Sequence, residues 1–212
     1  MSQLYPIFLD LTDRPVLLVG GGQVASRKAV SLLERGVPVT TVGTEICPQL
    51  ADLSENPLLT IHQRPYDSAD LSGHWLVIAA TDDSELNRRI FTEASDAGIF
   101  CNVVDQPELC SFQVPAVVRR GLLQIAVSTT GASPALAARI RRQLEDHFGP
   151  AYAELLDGLL ELRLCFQARY PQDIGRRREL LQDFLNSTVP DLLLKRADPR
   201  AFAVELEKWK SR

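Results

Sequence analysis

The chain lacks any long hydrophobic run. Its apolar stretches are far shorter than the roughly 20 residues that a membrane-spanning helix needs, and its first residues lack the basic start and cleavage site of a signal peptide. Its four cysteines are scattered without CxxC spacing, and its three histidines match no metal or triad spacing. We therefore expect a cytoplasmic protein with reduced thiols, without membrane association and without a resident metal.

Aromatic residues are also few, at 7%, and the acidic net charge of −4 is unevenly distributed. Residues 1–113 contain 7 basic and 15 acidic residues, whereas residues 114–212 contain 16 basic and 12 acidic residues. The arginine-rich second half could bind nucleic acid or an anionic small molecule, or it could simply present solvated helix faces. An acidic chain with few aromatics argues against nucleic acid as the partner.

The strongest local pattern is a short apolar run, Val16–Val19, that ends in three glycines and passes into a helical pattern. Such a junction presents backbone N–H groups and the positive end of a helix dipole to a pyrophosphate. Gly20 permits the tight turn, Gly22 lets the backbone approach the phosphates, and Ala25 lets the helix pack closely on the strand. The pattern indicates a dinucleotide site, and a glycine-rich turn without a ligand is the alternative.

Strand and helix patterns alternate through the first half of the chain. Strands are predicted at 16–19, 37–42, 58–63, 76–80 and 99–104, with helices at 24–35, 46–53 and from Asp83 or Ser84 to about Gly98. Alternation at this spacing predicts a parallel sheet with helices on both faces, a Rossmann-type α/β fold.

The pattern changes after about residue 113. Two strands, 114–118 and 122–128, are predicted on either side of Arg119-Arg120-Gly121, followed by a helix that Ser133 caps and that ends near His147. Helices are then predicted at 151–169, 173–186 and 198–210. This gives a dinucleotide-binding domain at 1–113, a strand and helix segment at 114–150, and a small helical C-terminal domain at 151–212.

Ligands of open α/β sheets bind beyond the carboxyl ends of the strands. Reading those ends gives Gly20, Gly22, Gln23 and Val24 after the first strand, Thr44 and Glu45 after the second, Thr81 and Asp82 after the fourth, and Asp105 after the fifth. The acid that usually binds the adenosine ribose is missing from the second strand, and no arginine lies just beyond it. This favours NAD over NADP.

Asp105 could act as a general base beside a nicotinamide, or it could be a turn residue before Pro107. Ser128 and Thr129 begin a hydroxyl-rich loop that leads into a helix N-terminus, a second potential anion site. A substrate carboxylate could bind there with help from Arg139 or Arg141, and simple capping of the helix by Ser133 is the alternative.

Six motifs in this order resemble one family. They are Pro6-Ile7-Phe8, the segment from Val19 to Lys28, Ala80-Thr81-Asp82-Asp83 with Asn87, Asn102-Val103-Val104-Asp105, Ser111-Phe112-Gln113-Val114-Pro115 and the segment from Ser128 to Pro134. The chain resembles precorrin-2 dehydrogenase, the N-terminal module of siroheme synthase, over residues 3–150 and more weakly in the tail. Thr129-Thr130 departs from the Ser-Gly that relatives often have there.

The resemblance implies NAD-dependent oxidation of precorrin-2 to sirohydrochlorin, with Asp105 as the catalytic aspartate. It implies that Gly22, Gln23, Val24, Thr44 and Glu45 contact the cofactor. The eight carboxylates of precorrin-2 would explain the arginines, among them Arg119 and Arg139. It also implies an interlocked homodimer in which residues 114–150 exchange between the two chains.

Two alternatives remain at this point. The enzyme could also insert Fe²⁺ into sirohydrochlorin, since this ferrochelatase step needs little more than Asp105 and an open pocket. A non-catalytic module that senses NAD would need the glycine loop but neither Asp105 nor the arginines.

Overall fold

The computed structural model describes residues 4–212. It consists of two compact units, Met1–Val114 and Pro115–Arg212. The first three residues of the predicted 1–113 domain and the first residue of the 3–150 resemblance lie outside the described part. The boundary between the units follows the predicted one by a single residue, but the second unit contains both 114–150 and 151–212. The predicted division into three domains remains a prediction.

The first unit contains a five-stranded parallel sheet in the order β3-β2-β1-β4-β5. Its elements are β1 (Val16–Val19), α1 (Gln23–Leu33), β2 (Val39–Gly43), α2 (Pro48–Ala51), β3 (Leu59–Gln63), a 3-10 turn (Ser68–Leu71), β4 (Leu76–Ala79), α3 (Ser84–Asp96), β5 (Phe100–Val103) and a second 3-10 turn (Pro107–Leu109).

Both faces of this sheet are covered, as the continuous apolar strands require. Val16 and Leu18 point to one face, where they pack with Ala25 and Ala29 of α1. Leu17 and Val19 point to the other face, and one core there includes Ile90 and Ala94 of α3 and Tyr66. Alternate residues of a strand point to opposite faces, so one four-residue strand contributes to two cores.

The second unit consists of a β-hairpin and five helices. The elements are β6 (Ala116–Arg120), β7 (Leu123–Val127), α4 (Pro134–His147), α5 (Ala151–Arg169), α6 (Ile174–Asn186), α7 (Val189–Leu194) and α8 (Pro199–Lys210). Four aromatic side chains, Phe166, Phe184, Phe202 and Trp209, lie in the buried core of the last four helices. These rings supply much of the apolar area that stabilises such a small bundle.

The predicted fold class is confirmed. Ser133 caps α4 as expected, and of the two predicted starts of α3, Ser84 is the first helical residue and Asp83 is its N-cap. Several bounds were wrong. The strand β2 begins at Val39 rather than at residue 37, because Pro38 has no N–H to donate to the ladder. The helix α2 covers only Pro48–Ala51 instead of 46–53.

Two predictions in the second half also needed correction. Arg119 and Arg120 do not separate the strands: they pair with Gln124 and Leu123 inside the hairpin, and Gly121 makes the turn with a φ of +55°. The helix α7 was missed, because six residues with a proline in the first turn give no helical periodicity.

Candidate functional site

The carboxyl ends of the parallel strands open into a cavity of about 1250 Å³. This volume exceeds the roughly 300–1,000 Å³ of most small-molecule pockets. The cavity lies where the strand order reverses, because β1 has β2 on one side and β4 on the other. This is the position at which doubly wound sheets bind their ligands.

All eight residues predicted to bind the cofactor line this cavity. They are Gly20, Gly22, Gln23, Val24, Thr44, Glu45, Thr81 and Asp82. They come from the ends of three strands, β1, β2 and β4, which the parallel register brings to one edge of the sheet. Their proximity supports the prediction that they act together, and their contacts with a cofactor remain a prediction.

The three glycines in the loop after β1 have different structural roles. Gly20 has a φ of +121°, and a Cβ on it would overlap the carbonyl of Ala80. A Cβ on Gly21 would overlap the carbonyl of Glu45, and the carbonyl of Gly21 accepts a hydrogen bond from Cys47 N–H at 2.8 Å. A Cβ on Gly22 would meet nothing within 4 Å. Gly20 and Gly21 therefore close the loop, and Gly22 leaves open space in front of the helix.

The N-terminus of α1 suits an anion. Its N-cap is Gly22, which has no side chain to accept a hydrogen bond from the first turn. By contrast, Asp83 caps α3, Ser133 caps α4 and Asp198 caps α8 with their own side-chain oxygens. The first-turn N–H groups of α1, at the positive end of the helix dipole, thus remain available to a pyrophosphate. The residues present fit a dinucleotide.

Thr81 has a structural role in addition to its place in the cavity. Its hydroxyl donates to Asn87 Oδ1 at 2.8 Å, and Asn87 Nδ2 donates to the Thr81 carbonyl at 2.9 Å. Asn87 is buried. Because both side chains are engaged with each other, they hold the turn between β4 and α3 in one conformation, and the neighbouring Asp82 lines the cavity from this fixed turn.

Asp105 lies two residues beyond β5, at the same edge of the sheet. Its carboxylate is exposed, and its backbone has a φ of +61°, which is unusual for a residue with a side chain. Val104 N–H donates to the Ala79 carbonyl at 2.9 Å, so Asp105 leaves the sheet next to the end of β4. Asp105 is not among the residues that line the cavity itself. Its positive φ agrees with the reading of Asp105 as a turn residue, and it is compatible with the reading as a general base, because strained backbone of this kind also occurs at functional sites.

A half-buried lysine near Asp105 was not identified from the sequence. Lys28 of α1 is partly removed from water, which lowers its pKa, as does the charge of Arg27, whereas the charge of Asp105 raises it. The ammonium group therefore adds positive charge near the Asp105 carboxylate.

The four residues predicted to bind substrate lie in the second unit. Arg119 and Arg139 are exposed, and in residues 4–212 neither side chain has an ion pair or hydrogen bond. The Thr129 hydroxyl donates to the Ser133 carbonyl at 3.0 Å and accepts from Ser133 N–H at 3.1 Å. Ser128 Oγ accepts from Thr130 N–H at 3.1 Å. The two hydroxyls thus stabilise their own loop, and the two arginines are available to an anion.

Some of the other arginines have partners within the chain. Arg176 pairs with Glu179 at 2.7 Å, and Arg141 pairs with Glu145 one helical turn away. Among the described residues, no group of three or more His, Cys, Asp or Glu side chains could hold a metal ion. No helix in the same part of the chain is long and apolar enough to cross a membrane.

Several residues that line the cavity were missed from the sequence, Arg64 and Tyr66 among them. Arg64 and Tyr66 follow β3, and no motif marks them. Along the chain, no arginine lies just beyond β2. In space, however, β3 is the neighbour of β2, and its end supplies an arginine to the same cavity.

Comparison with known proteins agrees with this fold. A family model described as "Putative NAD(P)-binding" matches residues 7–116, and a model described as "Sirohaem biosynthesis protein central" matches residues 120–147. A siroheme synthase of Thioalkalivibrio sulfidiphilus is 40% identical over 190 residues, which is 90% of this chain and 39% of that protein. A siroheme synthase of Methylobacillus flagellatus is 44% identical over 173 residues, 81% of this chain and 37% of that protein.

The chain therefore spans about two fifths of the length of these curated relatives. A solved structure, "SirC, precorrin-2 dehydrogenase", matches over 97% of this chain and 100% of its own, with a TM-score of 0.78 and 28% sequence identity. The likeness to SirC extends over both units of the chain.

Proposed function

The chain belongs to the family of precorrin-2 dehydrogenase and of the corresponding module of siroheme synthase, and on this premise we propose that it oxidises precorrin-2 to sirohydrochlorin with NAD. One observation carries the proposal. Residues from three strand ends line a single cavity in front of an uncapped helix N-terminus, at the same edge of the sheet at which Asp105 follows β5. The cavity suits a dinucleotide, and the carboxylate suits a proton acceptor.

When bound, NAD supplies the acceptor for a hydride that leaves the macrocycle. The oxidation also releases a proton, and Asp105 is the group that we propose to accept it. Asp105 is exposed, so its carboxylate is accessible to a substrate, and its left-handed backbone places it in a turn just beyond β5. The positive charge of Lys28 lies close enough to Asp105 to interact with its carboxylate.

We propose that Arg119 and Arg139 bind carboxylates of precorrin-2. Their guanidinium groups are exposed and, within residues 4–212, uncompensated by acidic partners. A guanidinium binds a carboxylate through two parallel hydrogen bonds, so two arginines give both affinity and orientation. Ser128 and Thr129 are proposed to shape the same anion site through the loop that they stabilise.

The test of the mechanism is Asp105→Asn, which keeps a residue that tolerates a positive φ. We expect NADH formation from precorrin-2 to fall at least about a hundredfold, the usual contribution of a general base, while NAD binding is unchanged. The matched control is Asp13→Asn, because Asp13 is also an exposed aspartate with a positive φ of 55°. Normal turnover by the Asp105 variant would refute the proposed base.

Insertion of Fe²⁺ into sirohydrochlorin is the second candidate activity. It is favoured by the similarity to siroheme synthases and by the exposed carboxylate of Asp105, which could accept the pyrrole protons. Supplying sirohydrochlorin and Fe²⁺ without NAD and following the absorption spectrum tests this activity separately. An anaerobic assay in which the protein binds NAD but never turns over precorrin-2 would favour a sensing module instead.

We further propose a cytoplasmic homodimer. The hairpin β6–β7 packs against α4 and α5, but it pairs with no further strand among the described residues, so its outer edges are open to pairing with a second copy. Leu122 and Leu136 of the same unit are about half exposed. A second copy of segment 114–150 would pair the open edges and cover these side chains, and light scattering of the purified protein measures the resulting mass.

A further inference from the structure

Arg64 lies next to the place where the cofactor ribose is expected. In the parallel ladder Gly43 pairs with Gln63, so Thr44 and Arg64 leave the sheet side by side. The Gln63 side chain also donates a hydrogen bond to the Thr44 carbonyl at 3.4 Å, which ties the two strand ends together. Arg64, Thr44 and Glu45 all line the cavity. A residue after the second strand usually contacts the ribose in such folds.

The guanidinium of Arg64 is already engaged. Its two terminal nitrogens bond the two carboxylate oxygens of Asp70 at 2.8 and 2.5 Å, and one of them also donates to the Pro65 carbonyl at 3.0 Å. The Asp70 side chain is only 10% exposed, against 42% for Arg64. The partly buried carboxylate therefore determines where the guanidinium lies.

Asp70 is itself held by the backbone. Its carboxylate accepts a hydrogen bond from Asp67 N–H at 2.9 Å, as half of the capping box of the 3-10 turn Ser68–Leu71. The hydrogen bond from Arg64 is the main reason that the pKa of Asp70 lies below its ordinary value. The carboxylate is therefore ionised at neutral pH and compensates the charge of Arg64.

This arrangement bears on the choice between NAD and NADP. An arginine near the ribose is the usual partner of the 2′-phosphate that distinguishes NADP. Here the arginine is present, but its charge is compensated and its paired hydrogen-bond donors are occupied. The exposed carboxylate of Glu45 lies at the same end of the cavity and would repel a phosphate.

We propose that Asp70 is a specificity-determining residue, which selects NAD over NADP by withholding the Arg64 guanidinium from a 2′-phosphate. The inference rests on the dinucleotide site of the proposed function. It assigns the selectivity to a residue that lies seven positions beyond the end of β3 and outside every glycine-loop motif.

The test measures the dissociation constants of NAD and NADP by titration calorimetry, so it needs no turnover. The variant is Asp70→Asn, whose side-chain oxygen can still accept the Asp67 N–H. We expect NADP to bind at least about tenfold more tightly than to the wild type, the value of one charge-assisted hydrogen bond, with NAD changed less than about threefold. In Arg64→Met/Asp70→Asn the gain for NADP should disappear, because the guanidinium that binds the phosphate is absent.

An unchanged ratio of NADP to NAD affinity in Asp70→Asn would overturn the inference, as would a double variant that binds NADP as tightly as the single one. If circular dichroism shows that Asp70→Asn does not fold, Asp70→Ser provides a second neutral acceptor and is judged by the same ratio. A wild type that prefers NADP overturns this inference and the choice of NAD as oxidant, but leaves the dinucleotide site and the oxidation of precorrin-2 standing. A wild type that binds neither dinucleotide overturns the proposed function as well.

Discussion

Replacing Gly21 with alanine should destabilise the first unit, whereas replacing its neighbour Gly22 should impair only ligand binding. A Cβ on Gly21 would overlap the Glu45 carbonyl and would lie 2.8 Å from Ile46 Cδ1. The carbonyl is backbone and cannot rotate away, so the loop after β2 must move. Overpacking of this kind costs about 1–3 kcal/mol.

The movement would also strain the hydrogen bond from Cys47 N–H to the Gly21 carbonyl, now 2.8 Å long. Loss of this hydrogen bond would add about 1 kcal/mol to the destabilisation. We therefore expect Gly21→Ala to lower the free energy of unfolding by about 2–4 kcal/mol. The measurement is urea unfolding followed by circular dichroism.

Gly22→Ala is the matched control. Its φ of −80° suits alanine, and the added Cβ would meet nothing within 4 Å. The unfolding free energy should change by less than about 1 kcal/mol, the usual difference among N-cap residues. The methyl group, however, enters the space in front of α1, so the affinity for NAD should fall at least about tenfold. Equal stability of Gly21→Ala and the wild type, or unaltered NAD binding by Gly22→Ala, would refute the roles assigned to these glycines.

Three further predictions concern pH, backbone strain and thiol reactivity. Because the folded-state pKa of Asp70 is lowered, mainly by Arg64, its ionised form stabilises the fold above about pH 4 and this contribution is lost as the pH falls through the folded pKa. Acid titrations of wild type and Asp70→Asn should therefore converge at low pH, and a constant difference would contradict this. Thr130→Gly should raise the unfolding free energy by about 0.5–1 kcal/mol, since Thr130 has a φ of 53° and a glycine relieves the strain; a lower melting temperature would contradict it. Burial raises the pKa of Cys101 to about 12, so iodoacetamide at pH 8 should modify this thiol far more slowly in the folded protein than in urea, as mass spectrometry would show.

Local rules of the sequence were sufficient for most of the fold. The apolar run before Gly20 and the periodic pattern after it led to β1 and α1 with an error of two residues at most, because strand and helix periodicities are properties of short segments. The six-residue helix α7 could not be predicted in this way. Its formation depends on burying Val189 and Leu193 in the core of the second unit, which only the folded chain provides.

The candidate site also contains residues that the sequence predicted and residues that it did not. Residues within two positions of a strand end, such as Thr44 and Thr81, were predicted, because the carboxyl ends of parallel strands meet at one edge. The second function of Thr81, which is to hold Asn87 by a hydrogen bond, could be identified only from the side-chain geometry. No separate role was predicted for Gly21, because the atom that it contacts, the Glu45 carbonyl, lies 24 residues away in the chain.

By itself, the sequence determined the alternation of strands and helices, the glycine loop and the position of Asp105 at the end of a strand, because each of these follows from contacts within a few residues. Only the tertiary structure decided that β3 lies beside β2 and so brings Arg64, already paired with Asp70, to the cavity. The order of strands in a sheet depends on which surfaces pack together across the whole unit. It therefore cannot be predicted from any short stretch of sequence.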